Sequence, residues 1–351
     1  MRSYSVVHLI HHFGIGGVER LAQSMAEVQV LTSDRTKNSI SFELCTVFEG
    51  DARPEMSSLW NPLIYVGAIK KIVNSDPDVL VVSLWRAVVV GIAVKILIPK
   101  VKLVVFFHSS RPVHLFDRVF SVVGLKLATE VWGDSQETLI RRAPFFERQR
   151  TRPISCLLHV RATRARSKVC SPNFMFWGRI HPHKNIERSL RIFAGIRERY
   201  SSAKFWIIGP DDGGLDSVTK HIDSYRLHDS VFLLGEACFE QIRYYAERAT
   251  FYLQASVVEG FAMSVVEAMQ LGLIPVVAPV GQISHYARHG ENSIIIDQDD
   301  KVVLEIQRLL ESPERIIALR DSAMSYWRDH LAYEDAFADS CFRILDPAIF
   351  Q

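Results

Sequence analysis

With 351 residues, 48% hydrophobic and 23% charged, the chain is long enough for two globular domains, and its apolar content with only Gly 18 and Pro 14 excludes disordered, collagen-like and low-complexity classes. Lys+Arg 41 against Asp+Glu 39 leaves a net charge of +2, so no nucleic-acid partner is expected. Five scattered cysteines (Cys45, Cys156, Cys170, Cys238, Cys341), never spaced CxxC, exclude a disulfide framework and a structural zinc site and point to a reducing cytoplasm.

The N-terminal MRSYSVVHLIHHFG has a short apolar run broken by histidines, with no small-residue cleavage site behind it. No signal peptide is expected. Apolar, β-branched runs at 5–10, 41–47, 79–84, 103–107 and 130–132 predict strands, and a second set follows at 174–177, 205–208, 231–234, 251–254, 274–277 and 293–296. Helical-period segments at 18–29, 186–199, 239–249 and 263–271 lie between them. Such alternation predicts parallel sheets covered on both faces. The stretch 79–99 is apolar enough to suggest a membrane span. Arg86 and Lys95 interrupt it, and Pro77 and Pro99 flank it, so a buried strand followed by a helix over 87–97 is expected instead.

Eleven strands are many for one open sheet, and a composition shift marks a division. Residues 141–168 hold nine cations (Arg141, Arg142, Arg148, Arg150, Arg152, Arg161, Arg164, Arg166, Lys168) against Glu147 alone. We therefore expect two Rossmann-like, doubly wound domains facing each other across a cleft, 1–165 and 166–325. One amphipathic helix over 326–345 would carry the tail 326–351 back onto the first domain.

Ligands of open parallel sheets bind outside the strands' carboxyl ends. Four clusters fall there. The first is Gly14-Ile15-Gly16-Gly17-Val18-Glu19-Arg20, where glycines admit backbone to a phosphate at a helix start. The dinucleotide fingerprint would need glycine at position 19, which is Glu19. A tight strand–helix turn is the simpler reading. The second is Gly178-Arg179-Ile180-His181-Pro182-His183-Lys184, where Arg179 and Lys184 suit a diphosphate and equally suit a solvated pair. The two histidines there lack further ligands for a metal. Third comes Glu259-Gly260-Phe261-Ala262-Met263-Ser264-Val265-Val266-Glu267, two carboxylates flanking a helix start. A carboxylate accepts two hydroxyls at once, so both suit sugar or ribose rings, or else a helix cap and a surface acid. His108, after the run 103–107, is the fourth. Asp297-Gln298-Asp299 enters a surface helix and Asp211-Asp212-Gly213-Gly214 is turn chemistry, so neither is read as a site.

Together these residues resemble the retaining glycosyltransferases of family 4, with their glycosyltransferase-B fold. Glu259, seven residues and then Glu267 match that family's paired-glutamate motif; Gly178-Arg179 with Lys184 matches its diphosphate motif. Gly16-Gly17-Val18-Glu19-Arg20 is similar to its N-terminal glycine turn, and His108 falls where its donor-contacting histidine does. The resemblance implies that Arg179 and Lys184 neutralise a nucleoside diphosphate and that Glu267 binds the ribose. Glu259, Gly260 and Phe261 would hold the donor sugar, and backbone N–H groups at Met263, Ser264 and Val265 would face phosphate or ribose. Gly16 and Gly17 would approach the diphosphate from the other domain, and His108 would bind the sugar. It implies no cofactor and no metal. Departures are Ala262-Met263-Ser264 for the usual Gly-Leu-Pro, and His285 for an acid in the turn that starts at Gly281.

The expected reaction moves a hexose from a UDP- or GDP-linked donor to a glycan or lipid-linked acceptor, as in surface polysaccharide synthesis. A non-catalytic scaffold subunit and a nucleotide-sugar epimerase on the same fold are the alternatives. The basic stretch 141–168, with Phe145 and Phe146, reads as a solvated linker or as a peripheral contact with the anionic inner face of a membrane.

Overall fold

The computed structural model describes residues 2–14, 16–28, 30–32, 38–48, 61–112, 114–160 and 170–349. The chain forms two units: Met1–Leu158 with Leu331–Gln351, and His159–His330. The divisions thus fall at 158/159 and 330/331, where 165/166 and 325/326 were expected.

The first unit runs β1 (Ser3–Ile10), α1 (Gly17–Val28), β2 (Val30–Thr32), β3 (Ser39–Thr46), α2 (Pro62–Ser75), β4 (Val79–Ser83), α3 (Trp85–Leu97), β5 (Lys102–Phe107), α4 (Leu115–Leu127), β6 (Glu130–Gly133), α5 (Gln136–Arg142) and β7 (Thr151–Pro153). Its sheet has the order β2-β3-β1-β4-β5-β6-β7. All neighbours are parallel except β2 with β3. Val79–Val82 and Leu103–Val105 are wholly buried, which is why those strands read as unbroken β-branched runs. The stretch 79–99 resolves into β4 and α3, joined through Leu84 at φ 71°. No described helix is long and apolar enough to cross a membrane. Sequence reasoning missed β2 and β7. Each is a three-residue edge strand with no buried position, so no buried run marks it.

The second unit runs β8 (Phe174–Trp177), α6 (Ile186–Arg199), β9 (Phe205–Ile208), α7 (Leu215–Ser224), β10 (Val231–Leu233), α8 (Phe239–Ala246), β11 (Phe251–Gln254), α9 (Met263–Gln270), β12 (Ile274–Val277), α10 (Ile283–Tyr286), β13 (Ile294–Ile295), α11 (Asp299–Leu310) and α12 (Pro313–Tyr326). Its six-stranded sheet, β10-β9-β8-β11-β12-β13, is parallel throughout.

The single tail helix expected over 326–345 is corrected. α12 stops at Tyr326, and α13 (Tyr333–Leu345) begins afresh in the first unit. The break has a packing cause. Trp327 is held in the second unit, its Nε1 donating to Met269 Sδ at 3.2 Å and its ring 5.1 Å from Tyr286. Phe337 is held in the first, its ring 5.1 Å from Trp132 and 5.5 Å from His8.

Candidate functional site

In the second unit, three carboxyl-end loops of the sheet bring together what the sequence set apart. After β8 the chain passes Gly178 and Arg179 and makes a 3₁₀ turn, Pro182–Lys184, which His181 caps by accepting from the His183 N–H. That cap fixes His181 as a structural residue. The turn delivers Lys184, whose Nζ donates to Glu259 Oε1 at 2.7 Å. Lys184 is largely buried and Glu259 nearly wholly so. The same Oε1 accepts from Gln254 Nε2 at 2.8 Å.

Gln254, the last residue of β11, is fully buried. With its amide nitrogen committed to Glu259, its oxygen faces Tyr252 Oη at 2.6 Å and Ser264 Oγ at 3.1 Å. Tyr252 has one proton and also lies 2.9 Å from Ser264 Oγ. We assign that proton to Gln254, the shorter contact, so that Ser264 donates in return. Burial pushes the Tyr252 hydroxyl pKa upward, which keeps it a donor. The chain Lys184–Glu259–Gln254–Tyr252–Ser264 therefore fixes the Glu259 carboxylate. Both recorded bonds fall on Oε1, and a carboxylate offers about four acceptor positions, so capacity for hydroxyls remains.

α9 opens beside this group. Its N-cap, Ala262, sits at φ 59°, ψ 61° and offers no side-chain cap. Met263 and Ser264 head the helix as expected. Val265 is a correction: its N–H donates to Ala262 O at 2.9 Å, because the first turn closes tightly, and it has no donor left for a ligand. Phe261 is held by its surroundings, its carbonyl accepting from Tyr286 at 3.0 Å and its ring 5.9 Å from Trp327. Gly260 O accepts from Gln282 N at 3.0 Å. Gly281, at φ 56°, lies so close that a Cβ there would collide with the Glu259 carbonyl. The turn with the unexpected His285 thus still braces the Glu259 loop.

Glu267 is buried on α9 and accepts from Trp177 Nε1 at 2.9 Å. Arg179, half exposed, pairs with Asp212 at 2.6 Å. Asp211 accepts from the N–H groups of Gly213, Gly214 and Leu215. The aspartate turn read as mere turn chemistry therefore also supplies the partner of Arg179. Asp299 pairs with Arg188 at 2.8 Å.

The first unit carries the remaining expected residues. His108 follows β5, and its Nε2 lies 2.9 Å from Ser83 Oγ, which lies 2.8 Å from His8 Nε2. Burial, and then His8, lower the His108 pKa to about 3, so the ring is neutral at pH 7. Gly17 starts α1, Arg20 N donates to Gly16 O at 3.1 Å, and the Glu19 carboxylate lies over Gly16. Sequence reasoning missed Tyr252, Gln254, Trp177 and Ser83. Gln254 left one signal, a lone amide closing an apolar strand.

Residues 165–325 match the family model for glycosyl transferases group 1. The chain is 26% identical over 156 residues to a GDP-mannose:cellobiosyl-diphosphopolyprenol alpha-mannosyltransferase of Xanthomonas oryzae pv. oryzae, covering 43% of this chain and 41% of that one. The alignment thus spans about two fifths of the length of that curated relative. Among solved structures, a sucrose-phosphate synthase from Thermosynechococcus elongatus superposes with TM-score 0.76 at 17% identity, covering 98% of this chain and 100% of that one. Anabaena HepE in complex with UDP and glucose gives TM-score 0.74 at 14% identity, covering 96% and 99%. The fold is that of the glycosyltransferase-B structures.

Proposed function

We propose that this chain, whose residues 165–325 carry the group 1 glycosyl transferase match, is a retaining, metal-independent glycosyltransferase of family 4. It moves a hexose from a UDP- or GDP-linked donor to a glycan or lipid-linked acceptor, in surface polysaccharide synthesis. The observation that carries this reading is the Lys184–Glu259–Gln254 group at the head of α9. An ammonium has three donors, so Lys184 can keep Glu259 and still bind a phosphate oxygen. Glu259 then faces the sugar hydroxyls, with the Gly260 and Phe261 backbone behind it. Arg179 shifts from Asp212 toward the diphosphate as a fork, Met263 and Ser264 N–H groups meet phosphate or ribose, and Glu267 serves the ribose. Gly16 and Gly17 meet the diphosphate, and neutral His108 binds the sugar without adding charge.

Transfer breaks the bond from the anomeric carbon to the phosphate oxygen and forms one to the acceptor oxygen on the same face. The acceptor proton passes to the departing diphosphate. Stabilising that leaving group is the main task, and one preorganised donor of this kind contributes about 10²–10³ in rate. Arg179 and Lys184 supply the positive charge. The curated relative's GDP-mannose and lipid diphosphate acceptor, and the UDP and glucose of the HepE complex, support this substrate class.

The test is thermal unfolding with UDP, GDP, ADP and CMP, for the wild type and Lys184→Ala. Ligand at 100 times its Kd stabilises by about 2.7 kcal/mol. We expect UDP or GDP to raise the wild-type Tm and to leave the variant unmoved. A shift that survives Lys184→Ala, or none with any of the four nucleotides, refutes the donor site.

A further inference from the structure

Helix α4 (LFDRVFSVVGLKL) is built inside out. Its buried positions are Asp117, Ser121 and Gly124, one inward stripe at i, i+4 and i+7. Leu115, Val119, Val122 and Val123 lie on the outward side and are 71%, 48%, 51% and 40% exposed. An ordinary surface helix has the reverse pattern.

The inversion is locked. Asp117 Oδ1 and Oδ2 accept from Arg142 at 2.7 and 3.2 Å, and Ser121 Oγ joins both partners at 3.0 and 2.9 Å. Gly124 lets α4 seat against α3, since a Cβ there would stand 2.6 Å from Val88 Cγ1. Rolling the helix to hide its valines would expose that seat and strand two buried charges. The apolar side stays outward by construction, and fully exposed Phe145 extends it beyond α5.

Cations fringe this apolar face. A groove of about 790 Å³ runs along α4, lined by Arg118, Val122, Lys126, Arg141 and Phe145 among others. Arg118, Lys126, Arg141 and Arg148 are exposed. Two nearby acids are withdrawn into buried pairs, Asp117 with Arg142 and Glu130 with Arg152. Glu137, paired with Arg141, and Glu147 are the outward acids of this stretch.

We propose that this face docks on an anionic phospholipid bilayer, with Leu115, Val119, Val122, Val123 and Phe145 entering the headgroup–acyl boundary and Arg118, Lys126 and Arg141 meeting phosphates. Charge decides the occupant. A second copy docking by the same face would set Arg118, Lys126 and Arg141 against themselves. Of the basic stretch expected to make this contact, Arg141 and Arg148 are exposed among the described residues. Arg150 is spent on the carbonyls of Ala128 and Thr129, and Arg152 on Glu130; Arg161, Arg164, Arg166 and Lys168 lie outside the described residues.

The test is co-sedimentation with vesicles of phosphatidylcholine alone and of phosphatidylcholine mixed with phosphatidylglycerol, at low and raised salt, with light scattering for oligomeric state. Two double variants at exposed positions, Val119→Asp with Phe145→Ser and Arg118→Ser with Lys126→Ser, are compared at unchanged Tm. We expect pelleting with the anionic vesicles only, weakened by salt and by about fivefold for each cation removed. The apolar variant should abolish it. No pelleting at low salt, pelleting that both variants retain, or a dimer that Val119→Asp dissociates would each overturn the proposal.

Discussion

Helices α4 and α9 put buried polar groups to opposite uses. In the second unit, Gln254 on β11 is buried just behind a strand-end loop and its bonds lead outward to Glu259 and Lys184, while buried Glu267 on α9 accepts from Trp177. In the first unit, Asp117 with Arg142 and Glu130 with Arg152 close on themselves. A buried polar group that leads to a strand's carboxyl end orients a site. One that pairs off internally fixes an element's roll and so decides which face that element shows to solvent.

Breaking one group of each kind should separate these roles. Arg142→Ala leaves the buried Asp117 carboxylate without its arginine, at a cost of about 3–5 kcal/mol. Hydrogen exchange should show β5, β6 and α4 losing protection while β8 and β11 keep theirs. Uniform loss across both units would mean that they unfold as one. The counterpart is Glu259→Gln, which keeps the size of the side chain and removes its charge. The largely buried Lys184 then loses its counter-charge while the amide oxygen can still accept from it, so stability should fall by up to about 3 kcal/mol, whereas turnover should fall about 10²–10³-fold. Full turnover would remove Glu259 from the chemistry.

Acid sharpens the contrast. Burial lowers His8 to about 3, and burial with the neighbouring His8 lowers His108 to about 3, both from 6.5. The folded pKa lies below the unfolded one, so the unfolded chain takes up protons first as pH falls. The first unit is therefore fully stable above about pH 6.5 and loses up to about 1.4 kcal/mol per pH unit for each histidine between there and about 3. Because Ser83 links the two rings, their folded-state protonations at about pH 3 belong to the pair, while above that region the two contributions add. In the second unit, burial shifts the Tyr252 and Tyr286 hydroxyls upward, away from this window. His181, lowered mainly by burial, is only partly covered. Hydrogen exchange corrected for its intrinsic pH dependence should show β1, β4 and β5 weakening from pH 7 to 5 ahead of β8 and β11. The reverse order would mean that the histidine chain is not held neutral.

The same contrast explains what the sequence made legible. Strands β8, β9, β11 and β12 match the expected runs residue for residue, because burial on both faces leaves a continuous apolar signature. The expectation for Glu259, Glu267, Arg179 and Lys184 rests on residue type and spacing alone, which the sequence displays. Their partners were not legible. Gln254 and Tyr252 reach Glu259 and Lys184, and Asp212 reaches Arg179, only when the loops fold, and no local pattern announces that. The outward side of α4 was also hidden, since a valine-rich helix reads as core until Asp117 and Ser121 are seen to face inward.

The smallest expected effect lies at the head of α9. Ala262 stands at φ 59°, ψ 61°, a left-handed conformation that costs a side-chain-bearing residue about 1–2 kcal/mol. Two features hold it there: its carbonyl accepts from Val265 and Val266 N–H at 2.9 and 3.3 Å, and the preceding Phe261 carbonyl accepts from Tyr286. Ala262→Gly removes the strain and returns about 0.4–1 kcal/mol of it as unfolded-state entropy. The net gain should be about 0.5 kcal/mol, or about 1–2 °C in Tm for a unit of this size. Turnover should stay at the wild-type level, because backbone bonds and not the Cβ define the loop that carries Glu259. A stabilised variant with reduced turnover would show instead that the strain at Ala262 positions Glu259. A destabilised one would show that the left-handed cap does not form.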